Sequence, residues 1–118
     1  MKDIKYSAPW YYKKIGEYNG YNVVEMWGTK SYTNMSATTA DGSLYRSSSQ
    51  VFSEITPFTI EEVLDVSWSC CKLSGSIHFA AGDQVGTKFS YYLYAGASKT
   101  GFGGKISCRA VVLTTDDI

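Results

Sequence analysis

The sequence predicts an all-β fold: an antiparallel β-sandwich, jelly-roll-like, in a single domain. Three observations carry that expectation. Apolar and polar residues alternate with period two through several short runs, the pattern of strands that bury one face. Turn-forming residues, chiefly Gly beside Asn, Asp or Ser, punctuate those runs. No stretch repeats its apolar residues at helical spacing for long enough to propagate a helix. With 118 residues, one domain over 1–118 is expected.

The clearest local signal is Trp10 to Gly28, WYYKKIGEYNGYNVVEMWG. Two aromatic, β-branched runs, Trp10–Ile15 and Tyr21–Trp27, flank Gly16–Gly20. There Asn19-Gly20 supplies the positive φ values of a tight reversal. Residues 1–8 read as a polar lead-in, and Pro9 sets an extended approach to the first strand. Along Tyr21–Lys30, Val23, Glu25 and Trp27 share one face, and Asn22, Val24 and Met26 the other. Glu25 among apolar neighbours belongs either at a rim or in a hydrogen-bonded subunit contact. Ser31–Gly42 is polar and ends on the turn signal Asp41-Gly42.

Leu44–Phe52 then reads as a polar, edge-like strand, and Pro57 limits pairing near Thr56–Ile60. Glu61-Glu62 hints at a helical turn too short to propagate. Val63–Leu73 is the best core strand, with Leu64, Val66, Trp68 and Cys70 on one face. Ser74-Gly75-Ser76 turns the chain into Ile77–Ala81, and Gly82-Asp83 and Gly86 break it before Lys88–Ala95. In that last run Phe89, Tyr91, Leu93 and Ala95 oppose Ser90, Tyr92 and Tyr94. Gly96–Gly104 reads as a glycine loop. Lys105–Leu113 closes the sandwich with Ile106, Cys108, Ala110 and Val112 inward, and the acidic tail 114–118 offers nothing to pack.

Composition narrows the function by exclusion. Hydrophobic content of 44% with 19% charge argues against disorder. A net charge of zero leaves no electrostatic footprint for nucleic acid or for an anionic membrane surface. No apolar run is long enough to cross a bilayer, and Met1–Trp10 shows no signal-peptide pattern. The cysteines Cys70, Cys71 and Cys108 are odd in number, and two are adjacent, so they read as reduced, buried thiols of a protein made in a reducing cytosol. With one histidine and no C-x-x-C spacing, no metal or other cofactor is expected.

Catalysis finds little support. A Cys–His pair of His78 with Cys70 or Cys108 is conceivable across neighbouring strands, but both thiols run in phase with core residues. Glu25, Asp65 and Asp83 lie on different elements, and nothing in the pattern brings two carboxylates together. GASKTGFGG (Gly96–Gly104) lacks the order of a phosphate loop. Binding needs less apparatus: aromatic planes with amides, hydroxyls and charges at their rims. The candidate ligand-binding residues are Tyr92 and Tyr94 on the polar face of their strand, with Asp83 and His78 as polar neighbours.

Several stretches together resemble the C-terminal receptor-binding tip domains of tail-fibre and tail-tip proteins from phages and prophages of Gram-positive bacteria. Those domains open with W-x-Y-R-K-W, a glycine turn and a strand ending G-x-A-E-C-W-G. Trp10, Tyr12, Lys13 and Lys14 fall on the first part, and Glu25, Trp27 and Gly28 of NVVEMWG on the second. GSLYRSS (Gly42–Ser48) looks like the family's G-x-L-Y-x-S, and Thr56–Ile60 like its L-P-F-T-F. Lys88–Ala95 and Lys105–Val112 are similar to its last two strands. Met26 stands in place of the family's cysteine, Cys108 in place of an aromatic, and Thr114–Ile118 in place of an Ile-Gly-Arg-Trp ending.

The resemblance implies a non-enzymatic, homotrimeric domain of the virion tail, made in the bacterial cytoplasm. Its implied partner is a host cell-surface glycan or protein, a saccharide foremost. Alternatives of other classes are a structural or assembly protein of a phage tail and a bacterial carbohydrate-binding module.

Overall fold

In the computed structural model, residues 3–53, 56–71, 77–85 and 88–118 are described, with 71, 77–85 and 88 described by their backbone alone. Asn19 (φ 50°) and Gly20 (φ 83°) make the expected two-residue turn. It joins β2 (Trp10–Tyr18) to β3 (Tyr21–Ala37). Both turn residues sit in the left-handed region that a right-twisted hairpin requires. β10 (Lys99–Thr114) pairs with β3 along one edge and with β7 (Glu62–Cys71) along the other, which makes it an interior strand. The short β1 (Lys5–Ser7) completes a five-stranded antiparallel sheet in the order β1-β2-β3-β10-β7.

The second sheet holds β4 (Thr39–Asp41), β5 (Leu44–Arg46), β6 (Gln50–Ser53) and β9 (Lys88–Ala95), with β8 (Ile77–Val85) along the other side of β9. The two antiparallel sheets pack as a sandwich-like single domain. Between them lie Trp10, Val24, Met26, Ile106, Cys108, Ala110 and Val112 from the first sheet. Phe52, Phe89, Tyr91, Leu93 and Ala95 face them from the second, as the alternation of Lys88–Ala95 requires. Val66 and Trp68 pack half-buried against this core.

Several expectations are corrected. Residues 5–7 are no mere lead-in: they pair with Trp10–Tyr12, the Ala8–Pro9 bond between them being cis. Leu44–Phe52 is not one strand but two short ones on the same side of β9. At the break, Ser47 N–H donates to Leu93 O (2.9 Å), and Leu93 N–H donates to Ser47 Oγ (3.0 Å). A hydroxyl thus stands in for a ladder carbonyl where the backbone turns away.

Gly96–Gly104 is a loop only at its start, because β10 begins at Lys99, and Lys99, Phe102 and Gly104 pair with the far half of β3. Ser31–Ala37 likewise continues β3. This ribbon carries register shifts around Phe102 and positive φ at Asn34 (53°) and Gly101 (68°). Such irregularities bend a strand pair, and β3 passes directly from the first sheet towards β4 of the second.

Leu64 is 51% exposed, not inward. A bulge lets Val111 face Asp65 while Val112 faces Val63, so the phase of β7 slips by one residue there. The tail also packs. Thr114 is buried and Ile118 touches the core. Asp116 accepts from Thr59 N–H through Oδ2 (2.8 Å) and from Asn22 Nδ2 through its carbonyl (2.9 Å). Leu73, Ser74-Gly75-Ser76 and Gly86 lie outside the described residues.

Gly28 is required by close approach. A Cβ there would run into the Pro9 carbonyl oxygen and press on the Phe52 ring. Gly28→Ala should therefore lower stability by about 1–3 kcal/mol through overpacking, and Trp10→Ala by about 3–5 kcal/mol through cavity formation. Urea denaturation measures both; an unchanged midpoint for Gly28→Ala would show that the Pro9 segment yields freely.

Candidate functional site

The inward residues of the first sheet dictate what its outer face presents. With Trp10, Met26, Gly28, Cys108 and Ala110 buried, their neighbours in sequence point the other way. Register then aligns them: Tyr6 pairs with Tyr11, Tyr11 with Trp27, Trp27 with Arg109, and Arg109 with Ser67. One row of side chains therefore crosses all five strands. The Tyr6 and Tyr11 rings lie 4.6 Å apart at 44°, and Tyr11 and Trp27 lie 6.1 Å apart, nearly parallel at 15°. The Arg109 guanidinium carbon sits 5.8 Å from the Trp27 ring centroid, within cation–π range.

Beside this row lies a second of Thr29, Ser107 and Ser69. The Thr29 and Ser107 hydroxyls share a 2.9 Å hydrogen bond. Between the two rows is a shallow depression of about 330 Å³ lined by Trp27, Thr29, Ser67, Ser69, Ser107 and Arg109. On the opposite flank run Lys13, Glu25, Val111 and Asp65. Glu25 meets Arg109 across 3.5 Å, so its carboxylate is satisfied within the chain. The same row brings Glu25 and Asp65 to one face, two strands apart, which the sequence pattern did not reveal.

Tyr92 and Tyr94 share the outer face of the second sheet, as the alternation predicts, with their rings 6.5 Å apart. The structure adds two residues to them. The Tyr94 phenol donates to Asp41 Oδ2 (3.1 Å), and Arg46 Nε stands 3.8 Å from the same oxygen. The Arg46 guanidinium also covers the Tyr92 ring at 4.9 Å. Burial, with the adjoining Asp41 carboxylate, pushes the Tyr94 phenol above its ordinary pKa. Asp83 is in register with Ser90 on β9, and His78 falls at the irregular step between the Ile77–Ala95 and Phe79–Tyr94 pairs. The side chains of Asp83 and His78 lie outside the described residues.

Trp27, Arg109 and Tyr11 are the residues that sequence reasoning did not single out as a site. The available signal was Glu25: a charge in phase with Val23 and Trp27 marks that face as the wet one. Among the described residues no group of three or more His, Cys, Asp or Glu is placed to hold a metal ion. A family-model scan, a search of curated proteins and a search of solved structures each return no match.

Cys108 is ill-suited to nucleophilic work, since burial pushes its thiol up to about 12, whereas a nucleophilic thiol needs its pKa lowered. The unfolded thiol ionises near 9.0 and the folded one near 12. Between those values the unfolded state binds fewer protons, so stability falls as pH rises. Relative to Cys108→Ala, the wild type should lose up to about 1.4 kcal/mol per pH unit in that window. Denaturation midpoints of the two proteins at stepped alkaline pH measure it; parallel curves would mean that the thiol ionises alike in both states.

Proposed function

We propose that this chain is the receptor-binding tip domain of a phage or prophage tail fibre, and that it holds a host-surface saccharide without breaking or making bonds in it. The observation that carries the reading is the depression beside Trp27. An indole plane, a guanidinium and four hydroxyl side chains line one shallow recess on a sheet face, and Glu25 holds that guanidinium from the far flank. Sugars present apolar C–H faces and hydroxyl rims, and those groups match both. The motifs spanning Trp10 to Val112 support the tail assignment, and the free thiol of Cys108 suits assembly in the bacterial cytoplasm.

The trimer follows from the same resemblance. Single sites of this kind bind weakly, and three on one tip multiply residence on a repetitive cell wall. Tyr92 and Tyr94, with Asp83 and His78 beside them, stand as a second saccharide contact on the opposite sheet.

Adsorption of the purified protein to Gram-positive cells, and to polysaccharide extracted from their walls, tests the reading. Trp27→Ala should weaken binding about tenfold, equivalent to ~1.4 kcal/mol. Tyr92→Ala and Tyr94→Ala should each weaken it if the second sheet contributes. Binding to neither cells nor polysaccharide would favour a structural role in tail assembly and end the saccharide reading.

A further inference from the structure

The aromatic row is longer than one sugar needs. Its three rings advance across the strands in steps of 4.6 and 6.1 Å, close to the ~4.8 Å spacing of the strands beneath them. Near-parallel rings 6.1 Å apart overlap only in part, because full stacking contact comes at about 3.5–4 Å. Tyr11 and Tyr6 are 44% and 59% exposed, so both leave surface open along the row. The row opens at β1, the edge strand of the sheet, so nothing in the sheet blocks its far end. Its other end is closed by Arg109 over Trp27, beside the recess.

Charge is balanced along the rows of Trp27 and Glu25, with Lys105 a further cation of this face one step beyond Ser107 on β10. Lys13 and Arg109 are offset by Glu25 and Asp65 on the same rows, and Arg109 is already paired with Glu25. An anionic ligand gains no net field here and meets two carboxylates. Sugar hydroxyls both donate and accept. They suit a recess where Arg109, held by Glu25 from the far flank, donates, and Thr29, Ser67, Ser69 and Ser107 do either. A proline-rich peptide would also lie along aromatic rings, but it makes no use of this hydroxyl-lined recess.

We infer that the ligand is a neutral oligosaccharide laid across the strands, one unit seated beside Trp27 and read by Arg109 in the position Glu25 gives it, with successive units passing over Tyr11 and Tyr6. This rests on the saccharide reading above and adds direction, charge and length to it.

The test is titration of the full chain, followed by tryptophan emission and calorimetry. The probes are neutral hexose and N-acetylhexosamine oligomers from one to six units, the same chains carrying a carboxylate or phosphate, and a proline-rich peptide. Affinity for the neutral chains should rise about tenfold between one unit and three, as added contacts share one binding event. It should stay unchanged from about 50 to about 500 mM NaCl, where screening would weaken an ionic contact.

Tyr6→Ala should weaken binding of trimers and longer chains and leave the monosaccharide unaffected; Glu25→Gln and Arg109→Gln should weaken every length. Circular dichroism of each variant checks that it is folded. Binding that ignores length and Tyr6, or that favours anionic chains with strong salt dependence, overturns the inference while the saccharide reading stands. Binding of the peptide alone, or of no saccharide at all, overturns both.

Discussion

The contact of Trp10 with Phe52 and Phe89 across the sandwich is the constraint on which the rest of the molecule depends. The ring centroids lie 5.1 and 4.9 Å apart, and Trp68 extends the cluster to Phe52 and Tyr91 at 5.8 and 5.4 Å. Gly28 makes room for it, since any side chain there would strike the Pro9 carbonyl. The indole N–H groups of Trp10 and Trp68 are buried without a hydrogen-bond partner, a cost of about 1–3 kcal/mol each. The fully buried Trp10 ring withdraws about 150–250 Å² from water, worth roughly 4–6 kcal/mol, and the half-buried Trp68 less. Ring burial therefore wins over the orphaned N–H, and the cluster can sit where no polar atom reaches it.

That inner packing also fixes the outer face. Strand side chains alternate with a period of two, so a register slip of one residue would move Trp27 and Tyr11 inside and expose Met26 and Trp10. Burial of Trp10, Met26 and Cys108 excludes the slip. The aromatic row thus stands on a sheet held by its core, with little chain entropy left to lose when a ligand lies on it.

Where alternation or turn chemistry acts locally, the sequence is a sufficient guide: the Asn19-Gly20 turn, the inward face of Lys105–Leu113 and the two faces of Lys88–Ala95 all follow from it. Its reach ends where pairing is decided between distant strands. The bulge that exposes Leu64 depends on Val111 and Val112 of another strand. The glycine-rich stretch 101–104 looks like a loop, yet strand β3 extends it by pairing with Phe102 and Gly104. The row from Tyr6 to Ser67 is invisible for the same reason, since its members come from five strands and meet only through register. Tyr92 and Tyr94 were legible because they are two residues apart on one strand.

The two aromatic faces differ in how much of their chemistry is already used. On the second sheet, Arg46 lies over Tyr92 and Asp41 holds the Tyr94 hydroxyl. A ligand there must displace these contacts or build on them, so part of its binding energy goes into replacing what was lost. On the first sheet, Arg109 caps one side of Trp27, while Tyr11 and Tyr6 are largely exposed and the Thr29 and Ser107 hydroxyls of the recess bond to each other. The Arg109–Glu25 pair has Arg109 at 60% exposure, where such pairs are worth about 0–1 kcal/mol, so re-aiming the guanidinium towards a ligand costs little. The difference in prior engagement, rather than in the number of aromatic rings, makes the first sheet the better-prepared surface.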